Sequence, residues 1–492
     1  MKSYVAFASV AALLMALSLM IHQNQGEEVE PPVAVTHVTD PEPEPVPDQV
    51  EPLVPEPVVQ ELPEIRETGD LEDGSLHIQT MLSHGLLPTA ATDEVYLEIR
   101  LSGKEVRPEV RPPLNVALVI DTSGSMRGDA IVQARDAARA FVSELDPTDR
   151  VSIVSFSSDS KVEVPSTYVD DAGRARLMAS IDGLQAQGMT ALSGGLRDGA
   201  DQVLANRTDH TLDRVVLMTD GIPNVGITTA QGLVDKTRRI RSEGVSMTAL
   251  GFSTQYDADL MGAMALAGSG NYRYIQTPSD FARAFATELE DLFSTTASQV
   301  ALDVKVPTGV RIEEAMGYHL ERNSTGARIF VGDIGADARR SVVLRLSVQD
   351  QERMKGGEVA TVEINYLDRV RNAMASGTQG VEANRSANEA VVRENINQEV
   401  IARVYEVRTA VALQEAMTEY TNRGRAAGQA RAKQVEADLD RAEEVFGLDR
   451  SRSRALRDEV GSTSAGMRAP ARSQEAQQQR FQRSEATIEL MR

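Results

Sequence analysis

The sequence predicts an α/β fold, in which a doubly wound, mostly parallel sheet is inserted into a β-sandwich and followed by a C-terminal helical hairpin. Between residues 113 and 296, short apolar runs alternate with amphipathic segments of helical period. In the flanking regions, 75–112 and 297–367, apolar and polar residues alternate, as in half-buried antiparallel strands. Neither flanking region is expected to form a stable closed sheet alone, so we expect the strands of the two regions to pair with each other.

The composition of the 492-residue chain restricts its chemistry. The chain contains no Cys, which excludes disulfides and thiolate metal sites, and its six His are scattered without a metal-binding spacing. Any bound metal ion should therefore be held by oxygen atoms. The net charge of −22 is that of an acidic protein, and the concentrated positive charge of a nucleic-acid-binding protein is missing from the sequence. We expect no nucleic-acid partner.

Residues 1–26 have the features of an export segment. An uncharged, mostly apolar run covers 4–21, and its 18 residues are near the lower limit for crossing a bilayer. We interpret the segment as an uncleaved N-terminal membrane anchor or, alternatively, as a cleaved signal peptide. Both interpretations place the remainder of the chain outside the cytoplasm. The first predicts a single-pass membrane protein with a periplasmic or surface domain, and the second a secreted protein.

Residues 27–74 are acidic and rich in proline. They contain 15 acidic residues, one Arg and ten of the chain's 20 Pro. Proline removes backbone donors and like charges repel, so we expect an extended, disordered segment. Together with the export segment, it indicates a stalk that holds a folded domain away from a membrane.

The central region predicts strands and helices in alternation. The run LNVALVID predicts a buried strand ending at Asp121, and a helix with one apolar face follows from residue 129 to residue 145. VSIVSFS, RVVLMTD and VSMTALGFS predict further strands, and SDFARAFATELEDLF predicts a last helix. The intervening helices are predicted at 171–184, 192–206 and 228–243. This order is typical of a parallel sheet that is covered on both faces.

The C-terminal region predicts helices and then disorder. Residues 395–447 are expected to form a helical hairpin, because apolar residues form one stripe and Asn422-Arg423-Gly424 indicates a break. Residues 448–492 are rich in Ser, Arg and Gln and show no core pattern. We therefore expect this tail to be disordered.

Polar side chains cluster where predicted strands end. Asp121, Ser123 and Ser125 follow one buried strand in the segment DTSGS, and Asp220 follows another. Thr190 lies in a short polar loop just before a helix. Because ligands of a doubly wound sheet bind beyond the carboxyl ends of its strands, these loops can present their oxygens to one point. Two carboxylates and three hydroxyls suit a hard cation such as Mg²⁺, with Mn²⁺ or Ca²⁺ as alternatives.

The order and spacing of these residues resemble the von Willebrand factor type A family, which has a Rossmann-like fold. DTSGS is similar to the DxSxS motif of its metal-ion-dependent adhesion site, Thr190 to the separate Thr, and Asp220-Gly221 to the later Asp-Gly. The resemblance implies that the Ser and Thr hydroxyls bind the ion directly, and that Asp121 and Asp220 bind it directly or through water. It also implies that a partner protein completes the coordination with an Asp or Glu carboxylate. The overall layout resembles bacterial exported or membrane-anchored members of the family.

Arg127-Gly128-Asp129 spells the RGD tripeptide that some cell-surface receptors bind. We interpret it as the start of a helix. Gly128 lets the chain turn out of the preceding loop, and Asp129 places an acidic side chain at the positive end of the helix. A receptor-binding RGD requires an exposed, flexible loop, whereas this one lies between two predicted structural elements.

The sequence favours a binding function over an enzymatic one. We expect an extracytoplasmic adhesion or scaffold module that captures a partner carboxylate through bound Mg²⁺. The alternative is a partner subunit of an AAA+ ATPase of the MoxR or chelatase type. An enzyme is not expected, because Ser123 and Ser125 lack a nearby His base and the sequence contains neither a Walker A nor a GxSxG motif.

Overall fold

The computed structural model describes residues 74–105, 111–252, 257–275, 278–349, 357–468, 470 and 473–491. The predicted export segment lies outside these residues, as does the acidic segment apart from Gly74. Within the described ranges, no helix is both long enough and apolar enough to cross a bilayer.

Strands and helices follow one another in three regions of the described chain. The strands are β1 (Leu76–Leu82), β2 (Leu86–Pro88), β3 (Thr92–Gly103), β4 (Leu114–Asp121), β5 (Arg150–Phe156), β6 (Ser160–Tyr168), β7 (Leu212–Thr219), β8 (Ser246–Phe252), β9 (Ser269–Ile275), β10 (Thr295–Lys305), β11 (Val310–Met316), β12 (Glu321–Arg322), β13 (Gly326–Gly335), β14 (Arg339–Val348), β15 (Glu358–Asp368), β16 (Ala373–Glu382) and β17 (Asn384–Ser386). The helices are α1 (Asp129–Ser143), α2 (Asp171–Gly183), α3 (Leu192–Leu204), α4 (Ala230–Ser242), α5 (Ala258–Ala267), α6 (Pro278–Phe293), α7 (Glu389–Glu394), α8 (Gln398–Arg423), α9 (Arg425–Phe446), α10 (Arg450–Gly466) and α11 (Gln474–Met491).

The central domain is built on a six-stranded sheet with the order β6-β5-β4-β7-β8-β9. Neighbouring strands are parallel, except that β6 is antiparallel to β5. Strand β4 shows why the sheet is covered on both faces, because side chains alternate between faces along a strand. Val119 packs in the same core as α3, α4 and α5. Leu118 and Ile120 pack in a second core with α1, α2 and α6.

The sandwich joins strands from both sides of the central domain. Its two sheets have the orders β1-β3-β14-β11 and β12-β13-β10-β15-β16. Strand β3, which precedes the central domain, pairs antiparallel with β14, which follows it, so that Ile99 lies opposite Val342. The predicted fold class, with an α/β domain inserted into a discontinuous β-sandwich, is confirmed.

The sandwich extends further along the chain than the predicted boundary at residue 367. Strand β16 pairs with β15 as an edge strand at Ala373–Glu382. Most of its side chains are exposed or half-buried, and its sequence, AMASGTQGVE, carries little apolar alternation. The apolar pattern was therefore too weak to predict this strand from the sequence.

The C-terminal helices include the predicted hairpin and two further helices. Helices α8 and α9 form the hairpin, and Gly424 lies between them with a φ of 90°. The expectation that residues 448–492 are disordered is wrong, because α10 and α11 lie in this region and pack on the hairpin. Few apolar residues are available there, yet they are buried on one side of each helix. Examples are Val460 in α10 and Phe481 in α11, and the Phe481 ring centroid lies 4.3 Å from that of Tyr274.

Candidate metal site

Asp121 ends strand β4, and its carboxylate is oriented by two hydrogen bonds. The backbone N–H of Ser123 donates to Oδ1 at 2.7 Å, and the hydroxyl of Thr219 donates to Oδ2 at 2.5 Å. Asp121 is fully buried and Ser123 is nearly so. Since β4 and β7 are parallel neighbours, their carboxyl ends meet at one edge of the sheet, where Thr219 reaches Asp121.

A chain of hydroxyls connects the loop after β4 to the loop after β7. The Ser123 and Ser125 hydroxyl oxygens lie 2.9 Å apart. The Ser125 hydroxyl then donates to Oδ1 of Asp220 at 2.7 Å. Asp220 is buried, whereas Ser125 is exposed, so the cluster opens to solvent at Ser125. Four of the five predicted ligand residues are therefore in mutual contact.

Thr190 is positioned between the other two loops by backbone hydrogen bonds. Its N–H donates to the side-chain oxygen of Asn224 at 2.8 Å, and its C=O accepts from the N–H of Asn224 at 3.1 Å. On the other side, the N–H of Gly124 donates to the C=O of Gly188 at 3.0 Å. These contacts hold the Thr190 loop against both aspartate loops.

Gly221 identifies the point at which the three loops converge. A Cβ atom added at this position would lie 3.2 Å from Oγ1 of Thr190, 3.3 Å from Oδ2 of Asp121 and 3.3 Å from Oγ of Ser125. Oxygens from three separate loops thus surround one small space, which the absence of a side chain at Gly221 leaves open. The five residues predicted from the sequence converge at one end of the sheet.

Both carboxylates of the site are in surroundings that disfavour their charge. Burial raises the pKa of Asp121 to about 6, although hydrogen bonds from Thr219 and Ser123 oppose this effect. Burial also raises the pKa of Asp220. Neither carboxylate forms an ion pair with any side chain in the described residues. Two buried acidic groups without a cationic side chain, beside three hydroxyls, fit a divalent cation.

The ligand types of this site are those expected for a hard cation. Among the described residues, no group of three or more His, Cys, Asp or Glu side chains could hold a metal ion. The cluster at the sheet edge instead combines two carboxylates with neutral hydroxyls. Two carboxylates would balance the two charges of a divalent ion, and with neutral hydroxyls as the other ligands the ion would remain electrophilic enough to attract a further anionic ligand.

The RGD tripeptide lies at the start of helix α1. The helix begins at Asp129, and Gly128 has a φ of 88°, in the region that favours glycine. Arg127 donates from Nε to the C=O of Ala186 at 3.4 Å. The tripeptide is therefore held between the loop after β4 and α1, as its interpretation as a helix start requires.

The structure adds three exposed apolar side chains that the sequence interpretation missed. Met189 is 52% exposed, Ile222 59% and Ile227 39%. Met189 directly precedes Thr190 and Ile222 lies two residues after Asp220, so these two adjoin cluster residues along the chain, whereas Ile227 lies further along the second loop. No periodic pattern indicates them, because they lie in loops. The supporting roles of Thr219 and Asn224 were also missed, although Thr219 stands directly before the Asp-Gly pair.

Comparison with known proteins places the central domain in a family. The family model for the von Willebrand factor type A domain matches residues 115–294, which include all five clustered residues. The uncharacterized protein YfbK of Escherichia coli strain K12 is 28% identical over 263 residues, which cover 52% of this chain and 45% of that protein. Inter-alpha-trypsin inhibitor heavy chain H4 of Homo sapiens is 29% identical over 194 residues, which cover 38% of this chain and 20% of that protein.

A solved structure extends the similarity to most of the described chain. The von Willebrand factor type A protein from Catenulispora acidiphila superimposes with a TM-score of 0.62 at 16% identity, and the match covers 80% of this chain and 91% of that chain. At this identity the match shows the fold alone. The chain spans less than half the length of the two sequence relatives. The family predicted from the motif is confirmed for the central domain.

Proposed function

We propose that this chain, whose residues 115–294 are a von Willebrand factor type A domain, binds partner proteins through a divalent cation and is not an enzyme. The ion is most suitably Mg²⁺, and the same oxygens accept Mn²⁺ or Ca²⁺. Asp121 and Asp220 supply its negative charge. Ser123, Ser125 and Thr190 supply neutral oxygens. When bound, the ion offers an open coordination position to a carboxylate of the partner.

The observation that carries this proposal is the convergence of three loops on one space. Oxygens of Thr190, Asp121 and Ser125 each lie within 3.3 Å of the point where a Cβ of Gly221 would be. A cluster formed only to cap helix α1 would have no need of Thr190, which comes from a separate loop. The buried carboxylates, which lack a cationic partner among the described side chains, give the same cluster a reason to bind a cation.

The surroundings of the cluster support a protein as the partner. The exposed apolar side chains of Met189 and Ile222 are next to Thr190 and Gly221 in the sequence and offer contact area beside the oxygen cluster, and Ile227 is exposed in the same loop as Ile222. A small inorganic anion would gain nothing from these side chains. We therefore expect the partner to present an Asp or Glu flanked by apolar residues.

The proposed location is extracytoplasmic. It is supported by the sequence of the apolar run at 4–21 and of the acidic segment that follows it. Protease added to intact spheroplasts should then remove the domain. Resistance in intact spheroplasts, with digestion only after lysis, would favour a cytoplasmic role such as an ATPase partner subunit.

The proposal is tested by capturing partners from membranes by crosslinking. Wild-type chain should capture a defined set of proteins in Mg²⁺ and lose them in EDTA. Asp121→Ala should capture none in either condition. Asp129→Asn is the matched control, because Asp129 is exposed at the start of α1 and Asn is as good a residue at a helix start. Capture that persists in EDTA would contradict the proposal. The proposal would also be contradicted if Asp129→Asn abolished capture while Asp121→Ala retained it.

A further inference from the structure

A cavity with a volume of about 410 Å³ lies between the sandwich and the helical hairpin. Its walls come from strands β3 and β11, from helices α8 and α9, and from the C-terminal end of α11. No described residue that lines the cavity belongs to the central domain, so the cavity is separate from the candidate metal site. Cavities of this size commonly hold small organic molecules.

The buried part of the cavity wall is apolar. Met316 and Met491 contribute from β11 and α11, and Tyr405, Val407 and Ala412 contribute from α8. The charged lining residues, in contrast, are half-buried or exposed. Methionine side chains are flexible and adapt to the shape of a ligand. The cavity therefore has an apolar interior and a charged rim.

Most charged groups of the rim already have partners. Ion pairs with N···O distances of 3.0, 2.7 and 3.5 Å join Arg441 to Glu94, Arg431 to Glu415 and Arg345 to Glu314. Asp438 has no partner among the described side chains, but it is exposed, so water can solvate its charge. The other charged residue of the rim is Arg408, which is half-buried.

Arg408 has no acidic partner. Within the described part of the chain its side chain forms neither an ion pair nor a hydrogen bond, and its guanidinium carbon lies 5.3 Å from the ring centroid of Tyr96 and 5.6 Å from that of Tyr405. These cation–π contacts involve the ring faces and leave the N–H donors of the guanidinium group free. A carboxylate matches these donors, because it can accept two parallel hydrogen bonds from one guanidinium group.

The tyrosine beneath Arg408 also has an unused donor. Tyr96 is fully buried, and its hydroxyl has no hydrogen-bond partner among the described residues. Burial raises the pKa of Tyr96 to about 12, although the charge of Arg408 opposes this effect, so the hydroxyl stays protonated. Buried donors without acceptors are costly. Two unused donor groups thus belong to one cation–π contact at the cavity.

We propose that the cavity binds a small apolar monocarboxylate, with its carboxylate on Arg408 and its apolar body against Met316 and Val407. One guanidinium group without a partner calls for one negative charge. Further negative charge would be repelled by the acidic side chains of the rim, among them Glu314 and Asp438. This charge pattern favours a monoanion over a phosphate or another polyanion.

The position of the cavity gives ligand binding a structural consequence. A bound molecule would contact the sandwich through β11 and the hairpin through α8 and α9. Because a ligand that binds only the folded state stabilises it by mass action, the unfolding temperature should rise with ligand concentration. No residue of the metal site takes part, so binding should not require a divalent cation.

The proposal is tested by titration calorimetry of the full chain with decanoate in EDTA, which prevents carboxylate binding through a metal ion. We expect one decanoate per chain. Octanoate should bind roughly tenfold more weakly, because each buried CH₂ contributes about fourfold in affinity. Decanol and decylamine lack the negative charge, and each should bind at least about tenfold more weakly than decanoate.

Two arginines of the same rim provide the variant and its control. Arg408→Gln should reduce decanoate affinity at least about tenfold. Arg431→Gln should leave it within about twofold of wild type, because Arg431 lines the same cavity but is paired with Glu415. Val411→Phe adds volume at the cavity wall without a change of charge and should also weaken binding. Thermal unfolding without ligand shows whether each variant is folded.

Several results would overturn the proposal. One is the absence of decanoate binding to the wild-type chain in EDTA. Binding that appears only when Mg²⁺ is added would assign the decanoate to the metal site instead of the cavity. Equal affinities for decanoate and decanol, or equal decanoate affinities in Arg408→Gln and Arg431→Gln, would show that Arg408 does not bind the carboxylate.

Discussion

The Ser125 hydroxyl donates to Oδ1 of Asp220 at 2.7 Å and so joins two loops whose residues are 95 positions apart. Each loop follows a strand of the same parallel sheet, and β4 and β7 are direct neighbours in it. The contact therefore depends on the strand order. The Ser-rich turn after β4 forms part of a candidate site only because β7 places the carboxylate of Asp220 beside it.

Gly221→Ala should weaken cation binding. The new Cβ would lie within 3.3 Å of three oxygens that we assign to the ion. We expect at least about a tenfold loss of Mg²⁺ affinity, which corresponds to about 1.4 kcal/mol, with little change in unfolding temperature. Titration calorimetry measures the loss. Gly461→Ala is the control, because an added Cβ there meets nothing within 4 Å, and equal affinities in both variants would contradict the assignment.

The apolar side chains beside the site should matter for the partner and not for the ion. Met189→Ser with Ile222→Ser removes exposed apolar area, so partner capture should fall by at least about tenfold while Mg²⁺ binding is retained. Met374→Ser is the matched control, because Met374 is 73% exposed on the edge strand β16. Quantitative pull-down in Mg²⁺ gives the comparison. Equal capture by the double variant and the control would show that the partner does not use these side chains.

His84 should contribute a loss of stability in mild acid, opposite in sign to the contribution of Asp121, whose raised pKa favours the folded state there. Burial lowers the pKa of His84 to about 4, whereas the unfolded chain has the ordinary value of about 6.5. Between these values the unfolded state binds more protons at this group, so its contribution to the free energy of unfolding falls as pH falls from about 6.5 to 4. At pH 5 the loss from this group is about 2 kcal/mol. Urea unfolding of wild type and His84→Gln at pH 7.5 and 5 tests this, and an unchanged pH dependence in the variant would contradict it.

Arg214 should be important for attaching the central domain to the sandwich. It lies in β7, is buried, and pairs with Glu288 of α6 at 2.6 Å and with Asp333 of β13 at 3.0 Å. Arg214→Leu leaves the buried Glu288 and the half-buried Asp333 without this arginine, so we expect a loss of about 3–5 kcal/mol of stability. Arg197→Leu, at an exposed arginine of α3, should change stability by less than about 1 kcal/mol. Comparable losses in urea unfolding would contradict the role of Arg214.

Most residues of the candidate metal site could be predicted from the sequence because its signals are local. Asp121, Ser123 and Ser125 lie within five residues and follow an apolar strand, and the parallel topology inferred from periodicity then brought Asp220 to the same edge. The role of Asn224 could not be predicted, because it depends on a contact with Thr190, 34 residues away. A long-range contact of this kind leaves no periodic signal.

The two helices at the C-terminus, α10 and α11, could not be predicted from the sequence. Residues 450–491 have too few apolar side chains to suggest a core, so composition indicated disorder. In the structure, α11 packs against α8 and α5, and its Ser484 and Thr487 are buried beside Phe481 and Ile488. Small polar residues can be buried when their hydroxyls bond to a backbone carbonyl, as Thr487 does with Ala410 at 3.2 Å. The helices that cover these residues, α5 and α8, belong to other parts of the chain, so the local sequence does not indicate the burial.

The most direct test of the proposed function is titration calorimetry of the full chain with MgCl₂. Wild-type chain should bind one Mg²⁺ per chain with modest affinity, since only two carboxylates supply charge. Asp220→Asn keeps the shape of the site and removes one charge, and it should lose this binding while unfolding at nearly the same temperature. Asp129→Asn should bind as the wild type does. The absence of Mg²⁺ and Mn²⁺ binding in the wild type, or equal binding in Asp220→Asn, would contradict the metal site.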